Sequence, residues 1–136
     1  MTGTEPARNE FKGRTGLNRI FHAGLNSVRG LRHAFRSESA FRQEIALSAV
    51  MLPLAFWLPV TTVERILLIA SVLLALIVEL LNSAVEAAID RISLAHHPLS
   101  GQAKDMASAA VLVSLALAGL VWAIIAGPLL LRWLGL

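Results

Sequence analysis

Three carboxylates and an amide recur along one unbroken stretch, Glu79-Leu80-Leu81-Asn82-Ser83-Ala84-Val85-Glu86-Ala87-Ala88-Ile89-Asp90-Arg91. It continues the apolar run Ile66 to Val78 without a Gly or Pro, which predicts a single helix carrying both halves. At about 100° per residue, Glu79, Asn82, Glu86 and Asp90 fall within an arc of roughly 80°. The other face, with Leu80, Leu81, Val85, Ala88 and Ile89, is apolar enough for lipid or a neighbouring helix. With Arg91 at a membrane interface, Glu79, about 17 Å along the axis from Asp90, lies inside the hydrocarbon. Ionisable groups at that depth are costly, and they face a bundle interior, a cavity or a metal.

These residue types suit phosphate chemistry. Glu86 and Glu38 are hard oxygen donors of the kind Mg²⁺ takes, one or two carboxylates alongside phosphate oxygens and water. Lys104 would add a point charge for a transferring phosphoryl group. A general base at the depth of Glu79 reaches only an alcohol that arrives from within the membrane. The constellation reads as phosphoryl transfer from a water-soluble nucleotide to a lipid alcohol, with positioning and metal ions carrying most of the catalysis. Two other readings stay open at this point, proton or cation transport through the carboxylate stripe and simple hydrogen bonding between helices. Lys104-Asp105 also matches an ordinary helix start, and His96 and His97 match solvated loop residues. The chain has neither G-x-x-x-x-G-K-[ST] nor G-x-G-x-x-G, so a nucleotide would bind without the usual glycine-rich cradle.

The composition supports a membrane setting. The 136 residues are 56% hydrophobic and only 15% charged, with a mean hydropathy of +0.67, which indicates one small membrane domain. Cysteine is absent, which excludes disulfides, thiol catalysis and cysteine-held metal. The net charge of +3 does not point to nucleic acid, because Arg8, Lys12, Arg14, Arg19, Arg29, Arg32, Arg36 and Arg42 all precede the first apolar run. A basic segment beside a membrane span reads as attraction to anionic lipid and as an orientation signal. No cleavable signal peptide is expected, since the first long apolar stretch starts at Ile45.

The elements that must position these residues follow in order. Residues 1–16 are polar with Gly3, Pro6, Gly13 and Gly16, and are expected to form a disordered tail that carries nothing essential. Over about 17–36, Leu17, Ile20, Phe21, Leu25, Val28, Leu31 and Phe35 recur at helical spacing opposite Arg19, His22, Asn26, Arg29 and His33. This basic amphipathic helix suits the membrane surface. Ser37-Glu38-Ser39 reads as a break or N-cap, and spans are expected at about 40–60, 63–91 and 104–131. The first is short and holds Pro53 and Pro59, and Thr61 to Arg65 reads as a tight turn. Gly119, Ala123 and Gly127 form a small-residue stripe suited to close helix approach, either within the chain or between copies. The basic arm, Arg91 and Lys104 place the N-terminus and the second loop in the cytoplasm, which gathers Glu38, Glu86, Asp90, Lys104 and Asp105 at one membrane face.

The run from Glu79 to Arg91, followed by Ala103-Lys104-Asp105-Met106 and Ser108-Ala109-Ala110-Val111-Leu112, and preceded by Ala40-Phe41-Arg42-Gln43-Glu44, resembles the prokaryotic diacylglycerol kinase family over about residues 18–131. The resemblance implies an all-α membrane protein with a surface helix and three transmembrane helices, assembled as a homotrimeric bundle with sites shared between subunits. It implies direct phosphoryl transfer from ATP, with Mg²⁺, to 1,2-diacylglycerol at the cytoplasmic face of the inner membrane. By matching position, Glu79 is the implied base, and Glu38 and Glu86 are the metal ligands. Arg19, Asn26, Glu38, Glu86, His96, His97, Lys104 and Asp105 are implied on the nucleotide side, and Arg19, Glu79, Asn82 and Ser108 on the lipid side.

The departures are local. Asn26, Val28 and Phe35 stand where the best-known members carry a tyrosine and tryptophans, so base stacking at Asn26 is lost. His22 replaces a usual lysine and Ala95 an acidic residue. A Gram-positive branch that phosphorylates undecaprenol resembles the chain almost as well, whereas the Asn82-Ser83 pair and Arg91 lean toward diacylglycerol.

Overall fold

A computed structural model describes residues 16–92 and 97–135. Among these residues the structure is entirely helical, with α1 (Leu17–Ser37), α2 (Ser39–Trp57), α3 (Thr62–Ile92) and α4 (Pro98–Trp133). The expected disordered tail lies, up to residue 15, outside the described residues. The chain divides into two compact units that meet between His33 and Ala34.

In the first unit, α1 starts after Gly16, whose φ of +66° is the left-handed conformation that glycine adopts without strain. The Gly16 carbonyl accepts the Arg19 N–H at 3.1 Å and closes the first turn. Leu17, Ile20, Phe21, Val28 and Leu31 are all exposed, so this unit offers an uncovered apolar stripe opposite its basic one.

The second unit is built around α3. Its sequence contains no Gly or Pro, so nothing interrupts its 31 residues, about 46 Å at about 1.5 Å per residue. Both α2 and α4 pack on it. The end of α2 lies beside the start of α3, where Arg65 donates to the carbonyls of Ala55 and Leu58 at 3.2 and 3.1 Å. The Ala55 carbonyl has no helical donor because Pro59, four residues on, lacks an N–H, whereas the Leu58 carbonyl also accepts the Val60 N–H at 2.9 Å, so Arg65 serves as a cap as well as a hairpin clamp. The α3–α4 hairpin is antiparallel: Asp90 meets Lys104 near the connection, and Leu68 meets Trp122 far from it. Ala55, Leu58, Leu68, Val72 and Trp122 form the core, and the Trp122 indole N–H donates to the Leu68 carbonyl at 3.2 Å.

Helix ends differ from the sequence expectation for identifiable reasons. The segment expected as a tight turn is a capping box: the Thr61 hydroxyl accepts the Glu64 N–H at 3.3 Å, and the Glu64 carboxylate accepts the Thr61 N–H at 2.8 Å. α2 stops at Trp57 because Leu58, with ψ of 138°, is held extended by the proline that follows. α4 starts six residues before Lys104, at Pro98, which suits the first helical position, and His97 caps it by accepting the Leu99 N–H on Nδ1 at 3.2 Å.

α3 and α4 are each long and apolar enough to cross a membrane. α2, at 19 residues with Arg42 and Glu44 in its first half, falls short of that measure by composition. Large apolar side chains such as Leu47, Val50, Leu73, Ile77, Leu112 and Ile124 are exposed around the unit, a surface for lipid or for further protein. A Cβ added at Gly119 or Gly127 would meet nothing within 4 Å, so the small-residue stripe of α4 is open among the described residues.

Candidate active site

The carboxylate face of α3 points toward α2 and α4, and burial grades along it. Glu79 is 4% exposed, Asn82 and Glu86 are half-buried, and Asp90 near the helix end is exposed. A carboxylate so enclosed survives in a membrane protein only with polar company. Glu38 and Glu86 lie within electrostatic reach of Glu79, and Glu44 from α2 lies within reach of it from another side. One buried site therefore gathers acids from the middle of α3 and the start of α2.

Glu38 owes its place to the corner between α1 and α2. It is the N-cap residue of α2, extended at φ −101° and ψ 115°, and its Oε1 accepts the Ser37 hydroxyl at 3.3 Å and caps no N–H of α2. Its N–H reaches the Ala34 carbonyl at 2.9 Å, and Arg42 donates to the carbonyls of Phe35 and Arg36, each at 3.2 Å. Arg42 thus ties off the last turn of the preceding helix while Phe41, 2% exposed, anchors the next one.

Asn82 and Glu86 are four residues apart on α3, and the amide donates to the carboxylate at 3.3 Å. That bond leaves the Asn82 amide oxygen buried without a donor, and the Glu44 Oε2 oxygen is also buried without one. Buried acceptors of this kind are costly alone and favour a donor arriving from outside the chain, a hydroxyl being the simplest. A cavity of about 40 Å³ borders Glu44, Ser48, Met51 and Ala75 beside this cluster. Toward the helix end, the Lys104 ammonium meets Asp90 Oδ1 at 2.6 Å.

The site residues expected from sequence are therefore brought together unequally. Glu38, Glu79, Asn82, Glu86 and Lys104 share one region of the second unit. Ser108 is exposed at the edge of the α4 stripe that packs on α3, and Asp105 is exposed about 100° around the helix from Lys104, away from the cluster. His97 spends Nδ1 on its own helix cap, leaving Nε2 for other contacts. Arg19 and Asn26 lie in the first unit, exposed on the same side of α1 together with half-buried His22. His96 and Ala95 lie outside the described residues. Two residues were given no role by the sequence, Glu44 and Asp90, although Asp90 was placed on the carboxylate face of α3. Both were visible, one within Ala40 to Glu44 and one at the end of the α3 stripe, but their partners were not.

The donor set can be tested against the expected Mg²⁺. Among the described residues no three carboxylate or histidine side chains converge as a closed metal cage. Glu38 and Glu86, two hard oxygen donors at the edge of a polar site, fit an ion that takes only one or two carboxylates and completes its shell with phosphate and water. The donor chemistry fits.

Comparison with known proteins bears on most of the chain. A family model described as prokaryotic diacylglycerol kinase matches residues 25–126. A diacylglycerol kinase of Pseudomonas aeruginosa is 56% identical over 115 residues, covering 85% of this chain and 94% of the relative. One of Escherichia coli is 50% identical over 111 residues, covering 82% and 91%. A more distant diacylglycerol kinase, from Helicobacter pylori, is 43% identical over 107 residues, covering 79% and 84%.

Proposed function

Because the chain belongs to the prokaryotic diacylglycerol kinase family, we propose that it is a membrane lipid kinase transferring the γ-phosphoryl group of ATP to 1,2-diacylglycerol, giving phosphatidic acid and ADP. The observation that carries this reading is the burial of Glu79 on a helix long and apolar enough to span a membrane, within electrostatic reach of two carboxylates suited to Mg²⁺. A base placed there meets a lipid hydroxyl and no soluble alcohol.

Transfer is direct, with no phosphoenzyme. The lipid oxygen forms a bond to the γ-phosphorus as the bond to the β–γ bridging oxygen breaks, and Glu79 takes the hydroxyl proton. Asn82 Oδ1, buried and lacking a donor, accepts from the lipid's polar group and helps to orient it. Glu38 and Glu86 would hold Mg²⁺, which would supply charge neutralisation to the nucleotide phosphates. Lys104 adds positive charge beside Glu86, within whose electrostatic reach it lies.

The assembly is a homotrimer of three-span subunits with the N-terminus cytoplasmic. The open glycine stripe of α4 and the exposed apolar faces support self-association, and the exposed Asp105 and Ser108 suit a site completed by a neighbouring subunit. α2 serves as the third span with its charged start at the cytoplasmic interface, where Arg42 is held by the carbonyls of Phe35 and Arg36. Arg19, Asn26, His96 and His97 serve the nucleotide side, and Arg19 and Ser108 also meet the lipid.

The test is phosphate transfer from labelled ATP by the purified protein in mixed micelles. Diacylglycerol and undecaprenol are offered separately, with Mg²⁺ present or chelated. Metal-dependent labelling of diacylglycerol is the expected result. Preferential labelling of undecaprenol would replace the acceptor, and labelling of neither would return the carboxylate stripe to transport or packing.

A further inference from the structure

The Lys104 ammonium has a defined partner in the second unit, Asp90 Oδ1 at 2.6 Å. Asp90 is one helical step beyond Glu86, which is itself one step beyond Asn82. The residues are spaced by four, so their side chains line one edge of α3. Along that edge Asn82 donates to Glu86, and Asp90 accepts from Lys104. The ion pair bridges two helices near their connection, with the lysine side chain 37% and the aspartate side chain 48% exposed. Pairs that are this solvated add little to stability, so its consequence lies in where it holds the ammonium.

We propose that Asp90 is a positioning residue for phosphoryl transfer, fixing Lys104 beside the Glu86 carboxylate so that the nucleotide's phosphates meet an ammonium already in place. The inference rests on the kinase reading of the same site. A lysine on a four-carbon stem loses much rotamer freedom when it is ordered, and Asp90 orders it before the nucleotide arrives. An ammonium has three donors, so the bond to Asp90 leaves two for phosphate oxygens, and nucleotide binding need not break the pair. Asp90 acts on ATP only through Lys104.

That dependence defines the experiment, a double-mutant cycle with Asp90→Asn, Lys104→Met and the double variant in mixed micelles, measuring kcat and KM for MgATP. Folding of each variant is checked by circular dichroism. Asp90→Asn is expected to raise KM for MgATP about tenfold, equal to about 1.4 kcal/mol, with kcat within threefold of wild type. In the Lys104→Met background the same change should add less than twofold. Asp90→Glu, which keeps the charge, should recover most of the loss, and Asp90→Ala takes the place of Asp90→Asn in the cycle if that variant does not fold. An unchanged KM in Asp90→Asn alongside a raised KM in Lys104→Met overturns the role of Asp90 while leaving that of Lys104. Penalties that multiply in the double variant overturn it as well, because Asp90 would then act by another route. If Lys104→Met leaves KM unchanged, the phosphate role of Lys104 fails, and the role of Asp90 falls with it.

Discussion

Replacing Glu79 by glutamine should move activity and stability in opposite directions. Glu79 is 4% exposed, with Glu38, Glu86 and Glu44 within electrostatic reach, so glutamine keeps the shape while deleting a buried charge among like charges. Glu79 and Glu86 lie seven residues apart on α3, about 10.5 Å along the axis. At an effective dielectric of about 20, two unit charges at that distance repel by about 1.5 kcal/mol, and this sets the scale of the gain from one such neighbour. Loss of general-base catalysis removes about 10² to 10⁴ in rate, about 3 to 5 kcal/mol of barrier. The nucleotide side is not touched, so KM for MgATP should stay within about twofold. The assay is kcat and KM in mixed micelles, paired with denaturant unfolding of the same preparation followed by tryptophan fluorescence. A variant that is about 1 kcal/mol more stable and nearly inactive, with unchanged KM, is the expected outcome. Retained turnover would refute the base assignment. A stability loss above about 1 kcal/mol would refute the account of crowded charge, because it would mean that the carboxylate is bound by donors in the resting enzyme.

Other substitutions separate the site from its supports. Glu86→Gln should abolish turnover with the oligomer intact, and dependence on added Mg²⁺ in a still-active variant would exclude Glu86 as an essential ligand. Arg42→Ala releases the carbonyls of Phe35 and Arg36 at the corner that presents Glu38, so the Mg²⁺ concentration giving half-maximal activity should rise several-fold with diacylglycerol KM little changed; an unaltered Mg²⁺ curve would show that the corner holds without it. Arg65→Met removes two hydrogen bonds to the end of α2 and should cost about 1 to 3 kcal/mol in unfolding experiments, while kcat per folded protein stays near wild type because Arg65 is at the opposite end of α3 from Asp90. A matched fall in kcat would mean that the α2–α3 turn communicates with the site.

The carboxylate edge, the unbroken α3 and the apolar α4 were legible because each depends on residues that are close in sequence. Helical period and the absence of Gly and Pro settle which side chains share a face, whatever else the chain does. The corner at Ser37 to Ser39 was legible for the same reason, whereas the Thr61 capping box went unread despite its local signature, Thr followed three residues later by Glu. Other features depend on approach between helices. No spacing rule pairs Arg65 with the carbonyls of Ala55 and Leu58, sets Glu44 near Glu79, or puts Lys104 on Asp90, because each partner comes from a different element and the distance is decided by how α2 and α4 pack on α3. The same packing buried Glu79 and left Asp105 outside. Sequence alone determined which chemical groups line α3 and the fold class that carries them, through short-range periodicity and backbone stereochemistry. Tertiary structure decided which groups are desolvated, which are paired and which acceptors are left waiting for a donor, because those depend on the neighbours that close packing brings against each side chain.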